Sequence, residues 1–562
     1  MLASLCLKIM FMKEGSIYKL YCIVLMLFVT ACVKNEQQTK HPTKSIEPYL
    51  DISLTDAERD SLIGGLEDHQ KAFEELHKFH LDNSVGMALD FNPLPQGFEI
   101  NKNQKSIVWN LPTNIELPVN REELAFYPVY KLASLIKSKK ITSTELTQLY
   151  LARIKKYKDT LQCVISITEE QALLQAKQAD EEISKGKYRG PLHGIPYGIK
   201  DLLSVEGTKT TWGAGPYKDQ TIDKTATVVK KLEAAGAVMV AKLTLGALAM
   251  GDIWYGGKTR NPWDLEQGSS GSSAGSASAT IAGLVAFAIG TETWGSIVSP
   301  ATRCGATGLR PTFGVVSRNG AMALSWSMDK IGPICRSTLD CALVFDAIRG
   351  EDGFDSSVKS FAFNYDANAD IKKLKVGYLK TLFEKDTANK EQHAKSLALL
   401  QSQGIELVPV ELPSDLPVDA ISFIISTEGA AAFDEMTRTD RDSLLTDQRK
   451  WAWPNTFRAA RFIPAVEYIN ALRIRKLLIE EYHQKTKDFD VIVAPSFEGD
   501  QLLMTNLTGH PCLVLPNGFN KKGSPTSISF LGKLYGETAL ISIGRKIQEA
   551  TEWEDMAPPL FK

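Results

Sequence analysis

The stretch GSSGSSAGSASATIAGLVAFAIGTETWGSIVSP, Gly268 to Pro300, joins two compositions that seldom meet. Its first half reads as a flexible Gly/Ser linker, and the whole carries eight serines. It runs straight into an apolar segment, Ala282 to Gly290, that reads as a buried strand, and then into a second polar knot, TETWGS. A true linker is flanked by polar residues and carries no sharp constraints. Gly and Ser together are also what a tight loop needs where backbone N–H groups must face a reacting oxygen. A Ser-rich loop with another serine on a nearby turn therefore fits nucleophilic catalysis, and it fits a tightly packed structural loop equally well.

Working outward, the chain has 562 residues, of which 44% are hydrophobic and 23% charged, enough for a large core and for more than one domain. Lys+Arg 64 against Asp+Glu 66 leaves a net charge of -2, so there is no electrostatic footprint for nucleic acid. No repeat with a solenoid or propeller period is present. From about Glu122 to Trp553, helical segments alternate with short apolar runs: GAVMVAK, GLVAFAIG, LKVGYL, IELVPVEL, DVIVAPS and PCLVLPNGF. That alternation predicts an α/β layered fold around a mixed or mainly parallel sheet.

The N-terminus has the layout of an export signal. Lys13 and Lys19 precede an apolar run from Leu20 to Ala31, and small residues lead into Cys32. The run is shorter than the roughly 20 residues a membrane-spanning helix needs. Val-Thr-Ala-Cys resembles a bacterial lipobox, which implies cleavage before Cys32 and a lipid on its sulfur. Residues 1–31 are thus expected to be a signal peptide, and translation could start at Met1 or Met12. Residues 32–121 are expected to form a tether, a helical extension and a wrapping linker, and 122–562 the main domain. Within 52–91, Leu62, Leu66, Phe73 and Leu76 share a helical face, with Thr55 and Glu58 spaced as a capping box. Asn92 to Asn120 is rich in Pro and Asn and reads as the linker.

Cys163, Cys304, Cys335, Cys341 and Cys512 have no paired spacing, so they read as single buried thiols. The eight histidines form no HExxH or clustered ligand set, and neither metal nor cofactor is implied.

The wider spacing carries more weight. GIPYGIKD places Lys200 72 residues before Ser272, and Ser296 follows 24 residues later. Around them stand TRNPWD from Thr259, GLRPTFGVVSRNG from Gly308, MDKIGPICRS from Met328 and TNLTGHPCLVLPNG from Thr505. This set, in this order, resembles the amidase signature family from roughly Glu122 to the C-terminus. The resemblance implies a large α/β/α domain and a Ser-Ser-Lys triad: Ser296 as nucleophile, Ser272 as relay serine after a cis peptide bond, and Lys200 as base. It also implies that backbone N–H groups of Thr293, Trp294, Gly295 and Ser296 cradle the oxyanion, and that Met250 lines the acyl site. Residues 52–91 are similar in pattern to the small subunit that wraps the amidase-type subunit of tRNA-dependent amidotransferases; a generic helical extension fits them as well.

The residue types suit the chemistry. A serine hydroxyl attacks only when a neighbour removes its proton, and a lysine does this only when neutral. His193 in PLHGIP and His510 in TGHP are expected to be structural or site-wall residues, not members of a rival triad. Two departures from the family pattern stand out. Trp294 occupies the first of two glycine positions before the nucleophile, and Val298 stands where many relatives have Arg. The expected function is hydrolysis of a small-molecule or peptidic amide to acid plus ammonia or amine. The enzyme is expected to need no obligatory protein partner and to be anchored by lipid on the outer side of a bacterial membrane. An esterase using the same triad, or a surface-tethered binder that lost turnover, are the alternatives.

Overall fold

The computed structural model describes residues 41–562, apart from Phe79, Gly86 and the side chains of Pro42 and Phe73. The leader and Cys32 lie outside the described residues. The described residues divide into two compact units, one ending at Asp82 and the other spanning Asn83–Lys562.

In the first unit, helix α1 spans Asp56–Leu76. Its capping box closes as the spacing predicts: the Glu58 N–H donates to Thr55 Oγ1 at 3.3 Å, and the Thr55 N–H to Glu58 Oε2 at 2.6 Å. The helix stops at Leu76, well short of residue 91. Leu66 and Leu76 are exposed, so the apolar stripe read in the sequence finds little cover. Arg59 anchors the preceding turn through a buried ion pair with Glu47 at 2.6 Å.

The second unit is built on an 11-stranded mixed sheet. Its strands are β1 (Val164–Ile167), β2 (Pro196–Lys200), β3 (Val238–Leu243), β4 (Phe287–Glu292), β5 (Thr307–Arg310) and β6 (Lys330–Cys335). The remainder are β7 (Val376–Tyr378), β8 (Leu407–Pro409), β9 (Val491–Pro495), β10 (Cys512–Phe519) and β11 (Pro525–Gly532). Their spatial order is β1-β3-β2-β4-β6-β5-β10-β11-β9-β7-β8. β3, β2 and β4 run parallel to one another, and β4 to β9 alternate antiparallel through the middle. Strands β2, β3, β6, β9 and β11 are buried at every position, as strands covered on both faces are. The stretch 92–120 contains no regular helix, and it is tied to the domain by a backbone bridge between Val108 and Asp366. The five cysteines among the described residues are free and buried, as expected.

The Ser-rich stretch departs from its sequence reading in two places. AGSASATI, Ala274–Ile281, is a helix (α2) with every residue buried, not a loop. A Cβ on Gly275 would fall 2.5 Å from the Cys163 carbonyl oxygen and 2.5 Å from the Thr244 N. Small residues are required there because the helix presses directly on sheet backbone. The strand begins at Phe287, not Ala282, because Gly283 turns the chain with φ 68° and Arg153 binds the carbonyls of Ala282 and Gly283.

Candidate active site

Three segments converge at the C-terminal ends of the parallel strands β2 and β4. β2 delivers Lys200 as its last residue. The loop before α2 carries Ser272, preceded by a cis peptide bond between Gly271 and Ser272. The turn after β4 carries Ser296, immediately before helix α3 (Val298–Cys304). The two serine segments are tied together where the Ser273 N–H donates to the Ser296 carbonyl oxygen at 3.1 Å.

Lys200 is fully buried, and its Nζ lies 2.8 Å from Ser272 Oγ, 2.8 Å from Thr291 Oγ1 and 3.2 Å from Ser273 Oγ. Burial pulls its amine down to about 7, against the pull of the Asp329 and Glu292 carboxylates, which favour the charged form. Among the described residues it makes no ion pair. Asp201, its sequence neighbour, pairs instead with Lys242 at 2.8 Å. The bonding pattern orients the neutral amine. Ser273 spends its proton on the Thr291 carbonyl at 3.0 Å, so toward Lys200 it can only accept. With one N–H directed to Ser273, the Ser272 and Thr291 hydroxyls, each 2.8 Å away, are both placed to donate to the lone pair of a neutral Lys200.

The turn that presents Ser296 is held from behind by Glu292. Its carboxylate accepts from the N–H groups of Ile297 at 2.8 Å and Val298 at 3.0 Å, and it pairs with Arg310 at 2.7 Å and Asn506 Nδ2 at 2.8 Å. Burial opposes its charge, but Arg310 and these donors hold the carboxyl down to about 2. Gly295 adopts φ 80°, whereas Trp294 lies outside the left-handed region. The missing glycine therefore puts no φ strain on the turn, and Trp294, two residues before Ser296, is half exposed. Thr293 donates to Asp329 Oδ1 at 2.5 Å. Thr291, Thr293, Asp329 and Lys330 are among the residues lining a cavity of about 320 Å³. Met250 borders a smaller cavity of about 110 Å³ together with Asp252, Arg449 and Trp451.

The two histidines stand apart from this cluster. His193 Nδ1 accepts from the Arg189 N–H at 3.1 Å, and His510 Nδ1 pairs with Thr508 Oγ1 at 2.8 Å. Burial holds His510 down to about 3, so it is neutral and structural. Sequence reasoning missed Thr291, Ser273 and Asp329 as partners of the cluster and Glu292 as its brace. Glu292 and Thr291 both sit in the quoted GTETWGS, but nothing in their spacing separates a brace from a solvated polar residue. Among the described residues no group of side chains is arranged to hold a metal ion.

The geometry has counterparts in known proteins. The model of the Amidase family matches residues 145–502. The A-type chain of a glutamyl-tRNA(Gln) amidotransferase from Roseiflexus sp. (strain RS-1) is 34% identical over 466 residues, spanning 75% of this chain and 95% of the relative. Peptide amidase from Stenotrophomonas maltophilia has a similar structure, with TM-score 0.68 and 29% identity over 77% of this chain and 98% of that one. An amidase family protein from Bacillus anthracis str. Ames gives TM-score 0.68 and 27% identity over 78% and 95% of the two chains. The chain belongs to the amidase family, and it is an enzyme of amide C–N bond hydrolysis.

Proposed function

We propose that the chain is a stand-alone amidase that works through an acyl-enzyme on Ser296. Neutral Lys200 takes the Ser272 proton while Ser272 takes that of Ser296, whose oxygen attacks the amide carbonyl. The N–H groups around Gly295 and Ser296 stabilise the oxyanion, a contribution of about 2.7–4 kcal/mol per donor. The proton returns through Ser272 to the departing nitrogen, and ammonia or an amine leaves. Water then enters by the same relay and releases the acid. The observation that carries this reading is the fully buried Lys200 amine, pulled down to about 7 by burial, within 2.8 Å of Ser272 Oγ.

The substrate is a small or peptidic carboxamide, bound between the Met250 cavity and the Trp294 rim. The leader pattern ending at Cys32 supports an exported enzyme held at a bacterial membrane by lipid, with residues 32–121 as tether, helical extension and linker. An enzyme outside the cytoplasm has no aminoacyl-tRNA to act on, which favours hydrolysis over transamidation. No helix of the described residues is long and apolar enough to cross a membrane.

The test is intact mass after treatment with a fluorophosphonate. One adduct is expected on the wild type and none on Ser296→Ala. A wild type that stays unlabelled while folded refutes an activated nucleophile at this position.

A further inference from the structure

The turn that presents Ser296 leaves β4 through Glu292 and Thr293, two consecutive residues held by different parts of the chain. Glu292 is held by Arg310 and by Asn506, which lies in the helix Gln501–Leu507. Thr293 is held by Asp329 Oδ1, while Asp329 Oδ2 accepts from the N–H groups of Leu324 at 2.8 Å and Ser325 at 3.0 Å. Each support is only as rigid as the segment that carries it. The N–H groups from Thr293 to Ser296 donate to no acceptor among the described residues, so their direction depends on what holds the turn.

Both supporting segments meet at one side chain. Arg475 reaches in from the helix Ala465–Thr486 and is only 1% exposed. Its Nε donates to the Leu507 carbonyl at 2.6 Å, one residue from Asn506. Its Nη1 donates to Ser327 Oγ at 2.7 Å and its Nη2 to the Ser327 carbonyl at 2.8 Å, two residues from Asp329. The planar guanidinium thus links the two segments as a rigid fork. Ser327 is held in turn by buried Glu428: its hydroxyl donates to Oε1 at 2.7 Å and its N–H to Oε2 at 3.1 Å. Burial pulls Arg475 down to about 10, against the pull of Glu428, so it stays charged at neutral pH. The Phe91 ring lies 3.5 Å from the guanidinium carbon and adds a cation–π contact.

We propose that Arg475 is a positioning residue for the reaction at Ser296. By tying the supports of Glu292 and Thr293 to a single guanidinium, it sets the angle at which the N–H groups of the turn meet the oxyanion. Arg475 touches no reacting atom and acts through Asn506 and Asp329. Small displacements matter here, because a misplacement of about 1 Å from a distant change lowers rate by about 10²-fold.

The inference rests on the proposed acyl-enzyme, and one probe separates the two. A fluorophosphonate is titrated against the wild-type enzyme and Arg475→Lys, recording kinact and KI for labelling of Ser296, with circular dichroism and Tm for the fold. Lysine keeps the charge but offers a single amine, which cannot reproduce the fork between Leu507 and Ser327. Labelling develops charge on a phosphoryl oxygen in the oxyanion site, so kinact is expected to fall about 10- to 100-fold at unchanged KI. An arginine that only stabilises the fold lowers Tm and leaves kinact alone, so a folded Arg475→Lys protein with wild-type kinact overturns the proposal. If that variant does not fold, Ser327→Ala, which removes the hydroxyl between Arg475 and Glu428, takes its place. Its kinact is expected to fall about threefold or more, and an unchanged value overturns the proposal. A folded wild type that stays unlabelled refutes the acyl-enzyme itself, and the positioning role falls with it.

Discussion

Replacing Lys200 with methionine should abolish activity and, at neutral pH, make the protein more stable. The amine falls from the ordinary 10.5 to about 7 on burial, so folding at pH 7 either strips a proton from it or buries a charge. Linkage puts that cost at about 4 kcal/mol. Methionine fills much of the same volume without the cost, but it leaves the Ser272 and Thr291 hydroxyls short of a partner, which takes back about 1–3 kcal/mol. The net gain is about 1–3 kcal/mol at pH 7, read as a higher urea midpoint at unchanged slope. The pH dependence is the sharper test. A lysine whose folded value is depressed destabilises the native state in full below about pH 7, and the penalty fades as pH rises toward 10.5. The variant's advantage should therefore be flat in acid, shrink above neutrality and reverse near about pH 9, where the lost hydrogen bonds outweigh what remains of the penalty. A stability difference that does not change with pH refutes a neutral buried amine, and with it the assignment of Lys200 as base.

Further expectations follow from the same geometry. The kcat/KM for an amide should rise tenfold per pH unit in acid and level off above about 7, reporting the loss of the Lys200 proton. Gly271→Ala places a Cβ 1.8 Å from the Gly251 carbonyl oxygen, so the loop carrying Ser272 must move; activity should drop by about 10²-fold or more, while circular dichroism stays native. Glu292→Gln removes the charge facing buried Arg310 and should cost about 3–5 kcal/mol in urea denaturation, because the guanidinium is left uncompensated. Trp294→Gly removes a half-exposed ring from a residue of ordinary φ, so stability should change by less than about 1 kcal/mol. Its effect should appear in KM across amides of different bulk, with kcat for the smallest amide preserved.

The sequence made the chemistry more legible than the packing. Lys200, Ser272 and Ser296 stand out through the motifs that resemble the amidase signature family, and the structure brings Lys200 and Ser272 into hydrogen-bond contact. The alternation of apolar runs likewise announces an α/β layered fold. The Ser-rich segment reads wrongly as a loop because composition alone does not separate glycine chosen for its φ from glycine chosen for its lack of a Cβ. Gly275 is the second kind, and only the proximity of Thr244 and Cys163, far away in the chain, reveals it. Glu292 is invisible as a brace for the same reason. Its partners Arg310 and Asn506 are 18 and 214 residues away, and a carboxylate in isolation reads as solvated. The family resemblance likewise leaves open whether Trp294 damages its turn, since that depends on a backbone angle.

The position of Asn506 on the Glu292 carboxylate has a bearing on when the enzyme can act. Lys200, Ser272 and Ser296 all lie on the N-terminal side of the chain's midline strands, yet the turn holding Ser296 is braced by a residue made far later, next to strands β10 and β11 at the centre of the sheet. A growing chain that has already emitted all three reactive residues still lacks the strands that separate β5 from β9 and the side chain that completes the brace. Catalytic competence is thus expected as a late event, arriving with the last portion of the polypeptide. A partly synthesised chain is therefore expected to carry Lys200, Ser272 and Ser296 without being able to use them.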